Sequence, residues 1–151
     1  MKTKKILLFL IYILGPLLCG IIVGLLIDTK SYSSITKPPL SPPSYIFPII
    51  WSILYLLMGI SFYLASKKSL NKNSFRIFCL QLMVNLIWPI IFFNYKLYLF
   101  SVFWLLLLIY LLICMIIDFF YIKKIAGILQ FPYFFWLLFA LYLNVGVAIL
   151  N

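Results

Sequence analysis

The sequence predicts an all-α, polytopic membrane protein in which residues 1–151 form a single bundle of five transmembrane helices. Its composition is the first reason: 67% of the residues are hydrophobic and 9% are charged, whereas soluble domains are roughly half apolar and a quarter charged. The second reason is the presence of five apolar runs, each close to the ~20 residues that a helix needs to cross the hydrocarbon core. Helix is the expected conformation because lipid offers no partners for unpaired backbone groups.

The predicted spans cover residues 6–27, 45–65, 75–93, 98–121 and 131–150. The first run follows a basic N-terminus, but it is too long for a signal peptide and lacks a small-residue cleavage site, so we expect it to remain as a span. Merging the third and fourth runs would bury Asn94, Tyr95 and Lys96 in one overlong helix, and we reject that alternative. Gly20 and Gly24 in the first span predict either tight packing inside the bundle or a dimer face.

Basic residues at the ends of the spans predict the orientation of the chain. Three of the twelve cations, Lys30, Lys37 and Lys96, fall on one side of a five-span topology, and the other nine fall on the opposite side. The positive-inside rule therefore predicts a cytoplasmic N-terminus and an external first loop. The richness in Ile, Lys, Asn and Phe indicates a bacterium, so we expect a bacterial cytoplasmic membrane. The cations form no stripe among polar residues, so the net charge of +10 does not indicate nucleic-acid binding.

The first loop, residues 28–44, is predicted to be a stiff lid. Proline fixes φ and lacks an amide donor, so a proline-rich loop must be extended or turning. Behind the loop, Trp51 and Tyr55 begin a helical face that continues through Met58 and Phe62. The lid residues are one aromatic side chain and four prolines: Tyr32, Pro38, Pro39, Pro42 and Pro43.

Two further helical faces combine rings with amides. On the third span the spacing places two amides and two rings together, and on the fifth span it places Ala140, with space beside it, among larger polar and aromatic groups. Such faces indicate either a ligand pocket or core packing with interhelical hydrogen bonds. The side chains are Gln81, Asn85, Trp88 and Phe92 on the third span, and Tyr133, Trp136, Ala140 and Asn144 on the fifth.

The residue types that are absent exclude several classes of enzyme. The sequence has no His and no Glu, and its only acids are Asp28 and Asp118. Carboxylate-pair catalysis, a Ser-His-Asp triad and a His-ligated metal are therefore excluded within this chain, and we predict no metal and no cofactor. We expect Asp118 to form an ion pair with Lys123 or Lys124. The three cysteines lie apart in apolar runs and are predicted to be structural.

Three motifs resemble the translocator protein family, also called TSPO or the peripheral benzodiazepine receptor, which includes the bacterial tryptophan-rich sensory proteins. Residues 37–59 read KPPLSPPSYIFPIIWSILYLLMG. Residues 85–93 are similar to the family pattern N-x-x-W-P-x-x-F-F, and residues 132–144 are similar to P-Y-x-x-W-x-x-F-A-x-x-L-N. The order and spacing of the motifs make this resemblance specific.

The resemblance implies a five-helix bundle, often a homodimer, with a pocket near the first loop that binds porphyrins and synthetic isoquinoline or benzodiazepine ligands. The matching positions around that pocket are Trp51, Asn85, Trp88, Trp136, Ala140 and Asn144, to which we add Tyr55. Two departures concern the lid and cholesterol. Leu40 and Ser31 stand where the family has loop tryptophans, and residues 145–149 lack the Tyr and basic residue of the cholesterol motif.

Three functional hypotheses follow. The first is a membrane receptor or sensor that binds porphyrin-like tetrapyrroles and other flat apolar ligands under the first loop, with porphyrin as a ligand rather than a cofactor. The alternative is a light-dependent porphyrin-degrading enzyme, for which the resemblance implicates Trp51 and Trp136 because indoles are oxidisable. The third is a transporter of tetrapyrroles or other apolar small molecules, which is disfavoured because the spans lack coupling charges and repeat symmetry.

Overall fold

The computed structural model describes the backbone of residues 2–151 and the side chains of residues 6–7, 9–30 and 32–151. Helices follow one another along this part of the chain, and no strand occurs in it. Five helical stretches are long and apolar enough to cross a membrane, which confirms the predicted fold class. The helices are α1 (Lys2–Leu26), α2 (Ser31–Ser34), α3 (Ile46–Ser69), α4 (Lys72–Pro89, continued by a π-helical turn at Ile90–Asn94), α5 (Tyr98–Ile122), α6 (Lys124–Ile128) and α7 (Phe131–Leu150).

The structure adds two short helices that the sequence pattern does not predict. Helix α2 occupies one turn of the first loop, immediately before its prolines. Helix α6 follows α5 directly, and Gly127 within it packs so closely on Phe120 that a Cβ atom would lie 2.7 Å from the Phe120 Cβ. Both elements are too short to show an apolar period, so only their tertiary surroundings determine them.

Helix α1 lies on the outside of the bundle and packs chiefly on α3. Gly59 of α3 permits this contact, because a Cβ atom there would lie 2.6 Å from backbone carbonyl oxygens of α1. The two glycines that the sequence singles out in α1 have different surroundings. Both border a cavity, but Gly20 also packs against the Tyr55 ring, whereas a Cβ atom added to Gly24 would meet no described atom within 4 Å.

Helix α5 is the central element and packs against α4, α6 and α7. The bundle has two distinct ends, which we call the loop end, where the first loop and the C-terminus lie, and the opposite end. At the opposite end the rings of Phe62 and Phe78 stack with centroids 4.0 Å apart, and Phe119 lies 6.4 Å from each. Many large apolar side chains remain exposed on the outer surface, as lipid contact requires.

The prediction that Asp118 forms an ion pair with Lys123 or Lys124 is wrong. Asp118 lies near the end of α5, and its Oδ2 atom is buried without a hydrogen-bond partner among the described residues. Lys124 instead places its Nζ atom 5.9 Å from the centre of the Phe120 ring. The backbone between α5 and α6 is extended at Lys123, with φ −155° and ψ 112°, so the two lysines leave the helical face that carries Asp118.

Candidate ligand-binding site

A cavity of about 520 Å³ lies at the loop end of the bundle, between α1, α3 and α4. Ligand pockets typically enclose about 300–1,000 Å³ and carry mostly apolar walls with a few polar groups, so this cavity has the size and character of a binding site. Its lining is Leu17, Gly20, Ile21, Val23, Gly24, Leu25, Ile27, Thr29, Tyr32, Ser44, Tyr45, Phe47, Pro48, Trp51, Ser52, Tyr55, Asn85, Trp88, Pro89 and Phe93.

Trp51 is at the centre of the aromatic cluster that borders this cavity. Its ring lies 5.7 Å from the ring of Tyr55, 6.4 Å from that of Trp88 and 6.0 Å from that of Tyr133. The indole N–H of Trp51 makes no hydrogen bond to the described residues and is not among their buried unpaired atoms. The cavity wall therefore offers a ring for stacking and a free donor for one acceptor atom.

Asn85 anchors the polar network behind these rings. Its Oδ1 atom accepts a hydrogen bond from the Tyr55 hydroxyl at 2.6 Å, and its Nδ2 atom donates to the Tyr133 hydroxyl. Tyr133 donates in turn to Gln81 Oε1 at 3.1 Å. All four side chains are buried, so this network joins α3, α4 and α7 and fixes the positions of the two tyrosine rings.

Asn144 forms a second polar anchor, on α7. Its Oδ1 atom accepts from the Trp88 indole N–H at 2.9 Å, and its Nδ2 atom donates to the Ser101 hydroxyl at 2.8 Å and to the Tyr98 carbonyl at 3.1 Å. Trp88 thus has its N–H engaged, in contrast to Trp51. The sequence places Asn144 on the correct face but gives no sign that Ser101 completes the anchor.

The structure brings four of the seven predicted ligand-binding residues to one cavity. Trp51, Tyr55, Asn85 and Trp88 border the larger cavity. Ala140 and Asn144 border a separate space of about 20 Å³, whose lining also includes Trp88. Trp136 lines neither cavity, because the Phe47 ring lies against it with centroids 6.0 Å apart.

The proline loop is held against α7. Pro38 lies over Gly146, where a Cβ atom would approach the Pro38 Cβ and Cγ atoms to 2.5 Å, and the Tyr142 hydroxyl donates to the Pro39 carbonyl at 2.8 Å. Thr36 exchanges two hydrogen bonds of 2.9 Å with the Asn151 side chain. None of the four prolines lines either cavity, and Tyr32 is the predicted lid residue that does.

Tyr32 is fixed from several directions. Its hydroxyl donates to the Pro42 carbonyl at 3.0 Å, and the Lys37 Nζ atom lies 4.8 Å from the centre of its ring. Burial raises the pKa of the Tyr32 hydroxyl, a change that its hydrogen bond with Ser41 partly opposes. Pro42 therefore helps to hold Tyr32 at the cavity wall, through its carbonyl group.

Asn94 closes the rim of the loop end between α1 and α4. Its Oδ1 atom accepts from the Asp28 backbone N–H at 2.8 Å, and its Nδ2 atom donates to the Leu26 carbonyl at 2.9 Å. The π-helical turn that follows Pro89 positions this side chain. We call this pair of hydrogen bonds the Asn94 clasp.

Sequence reasoning misses two groups of cavity residues. The first group comes from α1, including Leu17 and Gly24, because an apolar helix shows no pattern that separates a cavity wall from a lipid-facing side. The second group is the rings of Phe47 and Phe93. Phe47 could have been suspected, since it follows Tyr45 as the second ring of the predicted second span, close to the proline loop.

The larger cavity has a neutral, mostly apolar lining. Its described lining contains no charged side chain, and no group of three or more His, Cys, Asp or Glu side chains suited to a metal ion occurs among the described residues. Aromatic faces, aliphatic walls and a few neutral donors and acceptors suit a flat, largely apolar molecule. The fold and the site together define a polytopic helical membrane protein with an aromatic cavity at the loop end of the bundle.

Sequence comparison identifies the family. A sequence model described as the TspO/MBR family matches residues 12–150, so the chain belongs to this family. The chain is 32% identical over 124 residues to the tryptophan-rich protein TspO of Chlorobaculum tepidum, covering 80% of this chain and 78% of that protein. It is 33% identical over 123 residues to the tryptophan-rich protein TspO of Archaeoglobus fulgidus, covering 80% and 79%.

A third relative matches over nearly the whole chain. The protein CrtK of Rhodobacter capsulatus is 30% identical over 148 residues, which cover 95% of this chain and 92% of CrtK. These matches confirm the family that the three sequence motifs indicate. The protein is therefore an integral membrane protein of the TspO/MBR family with five apolar helices.

Proposed function

We propose that this protein is a membrane receptor or sensor that binds porphyrin-like tetrapyrroles and other flat apolar molecules in the larger cavity. The observation that carries this proposal is the cavity of about 520 Å³ bordered by Trp51, Tyr55 and Trp88, in which the Trp51 indole N–H has no acceptor among the described residues. The porphyrin is a ligand in this proposal, and no cofactor is required.

The shape and polarity of the walls support this ligand class. Trp51 and Trp88 are inclined at 34° to each other, so a flat ring system can lie along them and gain both apolar burial and stacking. The free N–H of Trp51 can donate to an acceptor atom on the ligand. An uncharged lining disfavours small hydrophilic ions, which would lose their hydration without a paired charge.

A visible-absorption titration of detergent-purified protein with protoporphyrin tests the proposal. We expect a saturable, red-shifted Soret band. Trp51→Phe keeps much of the apolar area but removes the free N–H, so affinity should fall roughly two- to tenfold, the range for one hydrogen bond. Trp104→Phe is the matched control, because Trp104 donates to the Val84 carbonyl at 2.9 Å and does not line the cavity.

Two results would contradict the proposal. One is a spectrum that changes linearly with porphyrin concentration, as partition into detergent produces. The other is a saturable change that is weakened equally by Trp51→Phe and Trp104→Phe, since only the first variant alters the cavity.

Light-dependent porphyrin degradation is the second candidate, and the position of Trp51 favours it. An oxidisable indole at the cavity wall would be adjacent to a bound photosensitising ring, whereas the indole of Trp104 does not line the cavity. In light and dioxygen, we expect loss of porphyrin absorbance that Trp51→Phe reduces more than Trp104→Phe. Equal rates in the parent and in Trp51→Phe would contradict this candidate.

We further propose that the N-terminus is cytoplasmic and the first loop external, on the basis of the basic residues at the opposite end. By analogy with the bacterial relatives, we propose that the membrane is a bacterial cytoplasmic membrane. Cysteine labelling in intact cells tests this orientation, after Cys19, Cys79 and Cys114 have been replaced. Ser41→Cys should react with an impermeant maleimide, and Lys68→Cys should react only after permeabilisation. The reverse pattern would invert the proposed topology.

A further inference from the structure

The two cavities at the loop end share a wall made of single aromatic rings. Tyr32, Phe47, Trp88 and Phe93 line both the larger cavity and the 20 Å³ space beside Ala140. Displacement of one of these rings would join the two volumes into one site that reaches α7. The identity of the ring that can move therefore decides how large a ligand the site can hold.

Three of the four rings are held in place. The Trp88 N–H donates to Asn144 Oδ1 at 2.9 Å, and the Tyr32 hydroxyl donates to the Pro42 carbonyl at 3.0 Å. Phe93 packs edge-on against Trp88 and Phe92 as well as against Tyr32. Moving any of these rings would break a hydrogen bond or disrupt a ring cluster.

Phe47 is held less firmly. It is partly buried in the first turn of α3, where backbone N–H groups lack intrahelical acceptors and a helix frays most easily. Its ring makes edge contacts with Tyr32 at 5.3 Å and Trp136 at 6.0 Å. Having no polar atom, this ring can turn without leaving a buried hydrogen-bonding group unpaired.

Trp136, behind Phe47, carries an unpaired donor. Its Nε1 atom is buried and has no hydrogen-bond partner among the described residues. Buried indole N–H groups usually have a partner, and leaving one unpaired is unfavourable. A ligand that displaced Phe47 and brought an acceptor atom to Trp136 would remove this deficit.

We propose that Phe47 is the specificity-determining partition of the site, admitting large flat ligands when its ring turns aside and exposing the Trp136 N–H to a ligand acceptor. This inference rests on the proposed binding function. The favoured ligand class is a flat macrocycle with a carboxylate or carbonyl at its edge. A bicyclic molecule without such a group fits the larger cavity and leaves the partition closed.

The first test measures how tightly the Phe47→Ala variant binds two probes, protoporphyrin and the fluorescent bicyclic amine naphthylamine. We expect the ratio of their affinities to shift roughly two- to tenfold towards protoporphyrin, because the ring contacts of Phe47 no longer have to be broken. Phe139→Ala is the matched control: Phe139 contacts Trp136 at 5.5 Å but lines neither cavity. Phe47→Leu replaces Phe47→Ala if the latter does not fold.

The second test follows the Trp136 N–H directly. Its indole resonance in a proton–nitrogen correlation spectrum can be assigned by its loss in Trp136→Phe. Because the ring current of a bound macrocycle shifts nearby protons in either direction, the nitrogen coordinate of this resonance is the readout. Protoporphyrin should move it downfield, as hydrogen bonding does, whereas naphthylamine should not. Trp136→Phe should weaken protoporphyrin binding roughly two- to tenfold, and more than it weakens naphthylamine binding.

The outcomes separate this inference from the proposed function. The inference is overturned if Phe47→Ala changes the affinity ratio no more than Phe139→Ala, or if the Trp136 resonance is unchanged at saturating protoporphyrin. Either result, together with saturable binding that depends on Trp51, leaves the proposed function intact. Absence of saturable protoporphyrin binding to the parent protein overturns both.

Discussion

The two ends of the bundle use aromatic side chains in opposite ways. At the opposite end the phenylalanine rings close on one another, with Phe62 and Phe78 stacked at 4.0 Å. At the loop end the ring of Trp51 lies 5.7 Å from its nearest ring partner, Tyr55, and a cavity of about 520 Å³ remains beside the cluster. Both ends are apolar and rich in rings, so hydrophobicity alone does not explain the difference.

Hydrogen bonding explains why the loop end stays open. The polar tips of Tyr55, Trp88 and Tyr133 are bonded to buried amides, and each bond fixes where its ring must lie. Phenylalanine has no such requirement and packs wherever contact is best. The comparison indicates that the cavity stays open because buried amides fix the positions of the rings around it. The predictions below test this interpretation, from the largest expected effect to the smallest.

Phe78→Ala should have the largest effect on stability and little effect on ligand affinity. Removing a buried ring from the stacked cluster leaves a cavity, at a cost of about 3–5 kcal/mol in the free energy of unfolding. Unfolding in mixed detergent measures this cost, and the porphyrin affinity of the folded fraction should match the parent. Phe103→Ala is the control, since its ring is 63% exposed on the outer surface. Lost affinity without lost stability would mean that the two ends are coupled.

Asn85→Ala should have an intermediate effect on stability and a clear effect on binding. The hydroxyl of Tyr55 loses its acceptor and that of Tyr133 loses a donor, so we expect a loss of roughly 1–3 kcal/mol in the free energy of unfolding. The freed rings should then relax into the cavity and weaken porphyrin binding. Asn73→Ala, at an exposed position, is the control. Full affinity in Asn85→Ala would show that the amide does not keep the cavity open.

Gly146→Ala should have the smallest effect on stability, and its main effect should be on the rate at which the ligand dissociates. The added Cβ would overlap Pro38 and push the first loop away from α7, a local change that should cost about 1 kcal/mol, the lower end for overpacking. Stopped-flow displacement should show protoporphyrin dissociating severalfold faster. Gly15→Ala is a matched control, because no atom lies within 4 Å of its added Cβ and alanine favours helix. Equal dissociation rates in the two variants would show that the contact between the first loop and α7 does not slow the dissociation of protoporphyrin.

A structural feature of this protein is predictable from the sequence when neighbouring residues in the chain determine it, and not when distant residues do. The five spans are predictable because long apolar runs determine them locally, and the shared face of Asn85 and Trp88 follows from helical spacing. The wall contributed by α1 is not predictable, because its sequence does not distinguish the apolar residues that face the cavity from those that face lipid. The separation of Trp136 from the larger cavity is also not predictable, since it depends on the position of a single ring, Phe47.

The Asn94 clasp has a consequence for biosynthesis. Every described residue that lines the larger cavity precedes Asn94 in the chain, and the clasp joins the first span to the third. During translation, all the described residues that line the cavity, and the residues that form the Asn94 clasp, are therefore synthesised before α5 begins. Helices α5 and α7 are synthesised later, and Tyr133 and Asn144 of α7 then form hydrogen bonds with Asn85 and Trp88, which precede them in the chain.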